Sequence, residues 1–190
     1  MAIKTFTAGE VLTASDTNTY LANSGLVYVA GATITGLGTS GANLTGLFDS
    51  TYKNYRVQFL LRNPSTGLRM DMRYIAGTTP TTSGYYNAAI AGDYASNTVL
   101  YAHRSNNDTT FYGQNLQTNV GLLSMTWDIF NPNVAGIETT HNFQLVNRNE
   151  GLAYSGGGVQ IATTAFTGVT VGTNTGTVTL EYKVYGYREP

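Results

Sequence analysis

After Leu47, apolar and polar residues alternate with a period of two, and this alternation constrains the fold more than any other feature of the sequence. The clearest run is LRMDMRY at residues 68–74, and similar runs lie at 55–61, 123–129 and 178–184. Because successive side chains of a strand point to opposite faces of its sheet, each run predicts a strand with one buried face. Weaker strands are predicted at Leu26–Ala30, Tyr85–Ala89, Thr98–Ala102, Phe143–Leu145, Val159–Ala162 and Phe166–Val171.

The composition favours sheets and turns. The chain has 14 tyrosines and 22 glycines, and only 11% of its residues are charged. Aromatic and β-branched residues favour strands, whereas Gly and Asn favour the turns between them. Residues 63–67 predict the turn of a hairpin, and residues 156–158 predict a flexible glycine loop. The expected fold is therefore all-β, a jelly-roll-like antiparallel β-sandwich with a short N-terminal arm that includes a helix.

The N-terminal segment differs from the rest of the chain. Residues 13–16 have the spacing of a capping box and predict a short helix from about Ala14 to Asn23 that ends at Gly25. A helix of this length with few apolar positions needs a partner surface to persist in water. Residues 31–46 are rich in Gly and Thr and predict a linker or a loosely paired strand. We therefore divide the chain into an attachment arm and linker over residues 1–45 and a β-sandwich domain over residues 46–190.

Charge and hydropathy exclude several classes of partner. The formal net charge is −1, so no overall field attracts nucleic acid. The sequence has no cysteine, which excludes disulfides and thiolate chemistry. No segment has the apolar length of a membrane span, and the N-terminus lacks the apolar region of a signal peptide. We expect neither nucleic-acid binding nor membrane insertion, and synthesis in the cytoplasm.

The sequence offers no assembled catalytic motif. His103 and His141 are far apart, belong to no metal-binding pattern, and are expected to be surface or hydrogen-bonded loop residues. Asp71, Asp128 and Glu181 alternate with apolar residues and are expected on solvated strand faces, not as the paired carboxylates of a glycosidase. We therefore expect no enzyme activity, no metal and no cofactor, and a polysaccharide depolymerase is the less favoured alternative.

Aromatic residues are concentrated among amides and hydroxyls between residues 84 and 115. Exposed rings stack on the C–H faces of sugars, and amides bond their hydroxyl groups, so this stretch predicts a glycan- or receptor-binding site. The alternative is that many of these rings belong to the core or rim of the sandwich. The predicted site residues are Tyr85, Tyr86, Tyr94, Tyr101 and Tyr112.

Three segments carry a resemblance to a known family. The opening FTAGEVLTASDTN matches a leader through Phe6, Ala8, Gly9, Leu12, Thr13, Ala14 and Asn18. The segment FDSTYKNYR matches a recurrent strand through Phe48, Ser50, Tyr52, Asn54, Tyr55 and Arg56, and the ending TLEYKVYGYREP matches a common terminus. In their order and spacing these segments resemble structural proteins of tailed bacteriophages, particularly of marine phages.

The resemblance implies a virion location and a structural role, such as a short tail fibre, a collar protein or a capsid decoration. It implies attachment to other virion proteins through the N-terminal arm, for which we select Phe6, Leu12, Tyr20 and Leu21. It also implies symmetric copies, and we expect a homotrimer. A host surface glycan is a further expected partner, and a carbohydrate- or receptor-binding module is the alternative function.

Overall fold

The computed structural model describes residues 7–11, 13, 25–94, 100–116, 122–148 and 151–188. For residues 100, 101 and 112–116 it describes the backbone alone. The strands, in chain order, are β1 (Leu26–Leu37), β2 (Ala42–Leu44), β3 (Asn54–Arg62), β4 (Leu68–Ala76), β5 (Thr79–Pro80), β6 (Tyr85–Asp93), β7 (Leu100–Asp108), β8 (Phe111–Leu116), β9 (Leu122–Phe130), β10 (Thr139–Asn147), β11 (Leu152–Gln160), β12 (Gly168–Thr173) and β13 (Val178–Tyr187). Because the described residues contain no helix, the all-β prediction is confirmed.

The strands form two antiparallel sheets. The large sheet has eight strands in the order β1-β13-β3-β9-β10-β11-β6-β7. The small sheet has the order β2-β12-β4, and both β5 and β8 pair with β4. Several connections pass from one sheet to the other. Three of them, β1–β2, β3–β4 and β12–β13, join strands that are neighbours in the same order in both sheets. These three connections therefore run side by side.

Side chains from both sheets form one buried cluster. Trp127 of the large sheet is fully buried, and its ring centroid lies 5.4 Å from that of Tyr74 and 5.3 Å from that of Phe111, both in the small sheet. The buried positions of β10 alternate strictly with exposed ones, from Thr139 to Asn147. The period-two pattern of this strand thus places alternate residues inside the protein, and Phe143 and Leu145 belong to the cluster.

The predicted hairpin at residues 63–67 is wrong, although the turn is present. β3 and β4 lie in different sheets and do not pair with each other. Instead, the N–H of Ser65 donates to the carbonyl oxygen of Thr177 at 2.8 Å, and the N–H of Thr177 donates to Ser65 Oγ at 2.8 Å. The turn at residues 63–67 therefore lies beside the β12–β13 connection. The chain crosses between the sheets from β3 to β4 and from β12 to β13, and these two crossings are adjacent.

One other expectation is settled by the structure, and one needs correction. For residues 31–46, the sequence left a linker or a paired strand open, and the second is observed, because β1 pairs with β13 and β2 pairs with β12. The weak strand predicted at Leu26–Ala30 is the first part of β1. The glycines at 156–158 lie inside β11 and form no loop. A Cβ atom at Gly158 would lie 2.2 Å from the carbonyl oxygen of Tyr86, so glycine is required by the close approach of β6. The predicted helix at residues 14–23 lies outside the described residues.

Candidate functional site: the outer face of the large sheet

The outer face of the large sheet consists of the side chains that alternate with the buried cluster. Its central positions form one row across four neighbouring strands, because Gln58 is opposite Thr126, which is opposite Gln144, which is opposite Ser155. We call these four residues the polar row. Three are exposed and Thr126 is half-buried. Within the described part of the chain, none of the four side chains makes a hydrogen bond.

Two adjoining depressions border the polar row. One has a volume of about 680 Å³, and the other about 520 Å³. Thr126, Gln144 and Ser155 line both of them. The larger depression is also lined by aliphatic side chains, of which Ile90 is 64% exposed and Val146 is 45% exposed. The face therefore combines uncharged hydrogen-bonding groups with accessible apolar surface.

Arg56 and Asp128 form a two-point ion pair beside the smaller depression. Arg56 Nε lies 2.7 Å from Asp128 Oδ1, Arg56 Nη2 lies 2.8 Å from Oδ2, and the Tyr187 hydroxyl donates to Oδ1 at 2.7 Å. Partial burial opposes ionisation of Asp128, but these hydrogen bonds outweigh it and lower the pKa of the carboxyl group. Burial and the bond to Asp128 raise the pKa of Tyr187 to about 12. Asp128 is therefore ionised at neutral pH.

The other two carboxylates singled out in the sequence are also paired. Glu181 on the outer face bonds Arg62, and Lys183 Nζ lies 3.6 Å from Glu181 Oε1. Asp71 Oδ1, on the small sheet, lies 2.7 Å from Arg69 Nε. All three carboxylates therefore lie on partly exposed strand faces as expected, but each carries an arginine partner that the alternation did not predict.

Two of the three segments on which the predicted phage resemblance rests meet at this end of the large sheet. β3 and β13 are adjacent, and Tyr55 is opposite Gly186. A Cβ atom at Gly186 would lie 2.3 Å from the ring of Tyr52, so only glycine fits against that ring. Phe48 packs on the Tyr55 ring at 4.9 Å between centroids, and Tyr187 lies near the Arg56 guanidinium, which is 5.6 Å from its ring centroid. Motifs more than a hundred positions apart thus form one packed unit.

The predicted glycan-binding tyrosines do not form one site. Tyr85 is fully buried; its hydroxyl accepts from the Tyr74 N–H at 2.7 Å, so it is a core residue and cannot contact a ligand. Tyr86 is half-buried near the start of β6, whereas Tyr94 is 58% exposed just beyond its end. Eight residues of strand separate these two by roughly 26 Å. The side chains of Tyr101 and Tyr112 are not described, but their backbones lie in different sheets.

The four predicted attachment residues, Phe6, Leu12, Tyr20 and Leu21, lie outside the described residues. The polar row was not predicted as a site. Its members are visible in the sequence as the polar halves of alternating runs, but nothing in the sequence states which strands are neighbours. Knowledge of the strand order would have identified the row, because register then aligns the four residues.

His141 is buried in strand β10 and is not the loop residue that the sequence predicted. Its Nε2 lies 2.9 Å from Asn87 Oδ1 and its Nδ1 lies 3.3 Å from the Tyr74 hydroxyl oxygen. Because the amide oxygen only accepts, Nε2 carries the hydrogen and Nδ1 accepts from Tyr74. Burial lowers the pKa of His141 to about 3, so the ring is neutral. This network joins the two sheets, and His103 by contrast is exposed.

Among the described residues, no cluster of three histidine, aspartate or glutamate side chains is arranged to hold a metal ion. The same residues contain no helix with the length and apolar character needed to cross a membrane. Comparisons of the chain with protein-family models, with curated proteins and with solved structures find no match.

Proposed function

We propose that this chain is a non-catalytic structural component of a tailed-phage virion, such as a fibre, collar or capsid-decoration protein. The observation that carries the proposal is the contact between the two β-rich segments that resemble phage structural proteins. Tyr52 of one segment packs against Gly186 of the other, which is also opposite Tyr55 in the sheet. Arg56 of the first segment lies near the Tyr187 ring, and Tyr187 and Arg56 both bond Asp128. A resemblance that follows one packing unit is more specific than separate short matches, because the residues depend on each other sterically.

The proposed architecture is a jelly-roll-like β-sandwich. Its support is the order of three adjacent segments among those that cross between the sheets, β1–β2, β12–β13 and β3–β4, which is the same on both sides. In jelly rolls, antiparallel strands likewise wrap across two facing sheets. The run β9–β10–β11 is a meander within one sheet and departs from a full jelly roll.

The proposed attachment is through the N-terminal arm, and the proposed assembly is a homotrimer located on the virion surface. The support is chemical: Phe6, Leu12, Tyr20 and Leu21 are apolar or aromatic residues in a segment with too few apolar positions to form a core of its own. Copies arranged by closed cyclic symmetry are the common form of such assemblies. Light scattering of the full-length protein is expected to give the mass of three chains, and a monomer would contradict the trimer.

The experiment that tests the function is mass spectrometry of gradient-purified phage particles, combined with immunogold labelling. We expect peptides of this chain in the particles and gold on their surface. A Leu12→Asp/Leu21→Asp variant is expected to be absent from particles, whereas Ile137→Asp, a change of an exposed apolar residue far from the arm in sequence, should still be incorporated. Absence of the unmodified chain from intact particles would contradict the proposal.

A further inference from the structure

We propose that the outer face of the large sheet binds an uncharged polysaccharide chain, laid over the polar row across β3, β9, β10 and β11. The inference rests on the proposed function, because it gives the displayed domain its partner on a host surface. It also moves the glycan site from the tyrosine-rich stretch to residues that the sequence did not single out.

The first argument is hydrogen-bonding capacity. Each amide or hydroxyl of the polar row carries both donors and acceptors, which is also true of each sugar hydroxyl. Within the described chain these side chains bond no other residue, so their capacity is available to a ligand. A chain of sugar hydroxyl groups matches the row in kind, because each hydroxyl can both donate to it and accept from it.

The spacing of the four residues in the polar row also suits a polysaccharide. Neighbouring strands of a sheet lie about 4.8 Å apart, so the four residues span roughly 14 Å across the strands. Such a regular series suits a polymer with a repeating unit better than a compact ligand. Thr126, Gln144 and Ser155 line the depressions on both sides of the row. The two depressions therefore leave room for a sugar chain that is wider than a single side chain.

The third argument is the apolar surface beside the row. Leu60, Ile90 and Val146 line the larger depression. Aliphatic groups beside the amides can cover the C–H faces of sugar rings while the polar row bonds the sugar hydroxyls. On the other side, Asn142 faces Gly157, and a Cβ atom at Gly157 would lie 2.7 Å from Asn142 Oδ1. Because residue 157 is a glycine, no side chain rises from the sheet surface next to Asn142.

The charges beside the polar row are only partly compensated. Arg56 is neutralised by Asp128, whereas Glu181 is shared by Arg62 and Lys183, so one positive charge of that group is left over. The exposed Arg104 lies on the edge strand β7 and lines a depression that Ser155 also lines. The four residues of the row carry no charge themselves, so they would hold a neutral chain through hydrogen bonds alone, and the comparison with alginate measures what the flanking cations add.

The test is affinity electrophoresis of the full-length protein in gels that contain dextran, amylose, mannan or galactan, with alginate as the anionic comparison. We expect retardation by at least one neutral polysaccharide. The double variant Gln58→Leu/Gln144→Leu should bind that polysaccharide about 10- to 100-fold more weakly, since several hydrogen bonds are lost together. Asn43→Leu, the same kind of change on an exposed residue of the small sheet, should bind normally.

A second variant tests whether a loss of binding comes from the added leucines or from the lost hydrogen bonds. Thr126→Val/Ser155→Ala removes two hydroxyl groups with little change of shape and should also weaken binding. The inference is overturned if no neutral polysaccharide retards the protein, if only alginate does, or if both double variants bind as tightly as the unmodified chain. Incorporation into particles is scored separately: intact incorporation with no glycan binding contradicts this inference alone, and binding without incorporation contradicts the proposed function alone.

Discussion

The inner and outer faces of the large sheet are built from the same strands and have opposite physical characters. Trp127 and Phe143 point inward and are buried, whereas their chain neighbours Thr126 and Gln144 point outward. The inner face is held by ring packing against the small sheet, and the outer face carries partly compensated charges and uncharged polar groups. One alternating sequence therefore specifies stability and surface chemistry separately, on alternate residues.

The largest expected effect is on the inner face. Trp127→Ala removes a fully buried ring that contacts Tyr74, Phe111 and His141. We expect a loss of about 3–5 kcal/mol in the free energy of unfolding, because the cavity adds to the lost transfer energy. Chemical denaturation followed by circular dichroism measures it. A loss below about 1 kcal/mol would contradict the assignment of this ring to the centre of the core.

The next effect is a pH dependence that comes from the buried His141. Its folded pKa is about 3 and its ordinary value is 6.5, so the unfolded state binds more protons than the folded state between these values. Stability should therefore be complete above pH 6.5 and should fall as the pH is lowered, by up to about 1.4 kcal/mol per pH unit. Denaturation at pH 7, 6 and 5 measures this slope.

Substitution of each histidine in turn isolates the source of the slope. His141→Gln should lower stability at pH 7 but remove most of the dependence between pH 7 and 5. His103→Gln, which changes the exposed histidine, should keep the slope. Equal slopes in both variants would contradict a neutral, buried His141.

A smaller effect is expected at the ion pair on the outer face. Arg56 and Asp128 are 33% and 23% exposed, and their two-point geometry is favourable. We expect Asp128→Asn to reduce the free energy of unfolding by about 1 kcal/mol. A double-mutant cycle with Arg56→Met measures the coupling between the two side chains. Additive losses in the double variant would contradict a stabilising pair.

The smallest effect on stability is expected in the polar row. Thr126→Val/Ser155→Ala should change the free energy of unfolding by less than about 0.5 kcal/mol, because surface substitutions away from caps and buried networks are usually near neutral. Thermal unfolding monitored by circular dichroism checks this value. A loss of more than about 1 kcal/mol would show that the row supports the fold, and the two faces would then not be separable.

Much of the fold could be predicted from local pattern. The runs at 68–74 and 123–129 became strands β4 and β9, because alternation depends only on neighbouring residues. Pairing could not be predicted in the same way. The turn at 63–67 has the composition of a hairpin, yet its hydrogen bonds go to Thr177, more than a hundred positions away. The need for glycine in β11 is likewise explained only by the close approach of β6, which local pattern does not reveal.

The candidate site could be predicted less well than the fold. Tyr85 and Tyr94 have the same composition around them, but one is buried and the other exposed, because only the first meets the small sheet. His141 sits in an ordinary alternating run, and its burial follows from the same alternation on β10. The polar row needs the register of four strands, which is a property of the whole chain.

The most direct measurement of the separation between the faces uses two adjacent residues and the same substitution. Phe143→Leu and Gln144→Leu are each assayed for unfolding free energy and for retardation by the neutral polysaccharide that binds the unmodified chain. We expect Phe143→Leu to lose about 1 kcal/mol and keep its binding, and Gln144→Leu to keep its stability and bind more weakly. If Gln144→Leu binds normally, or if both variants lose both properties together, the account is contradicted.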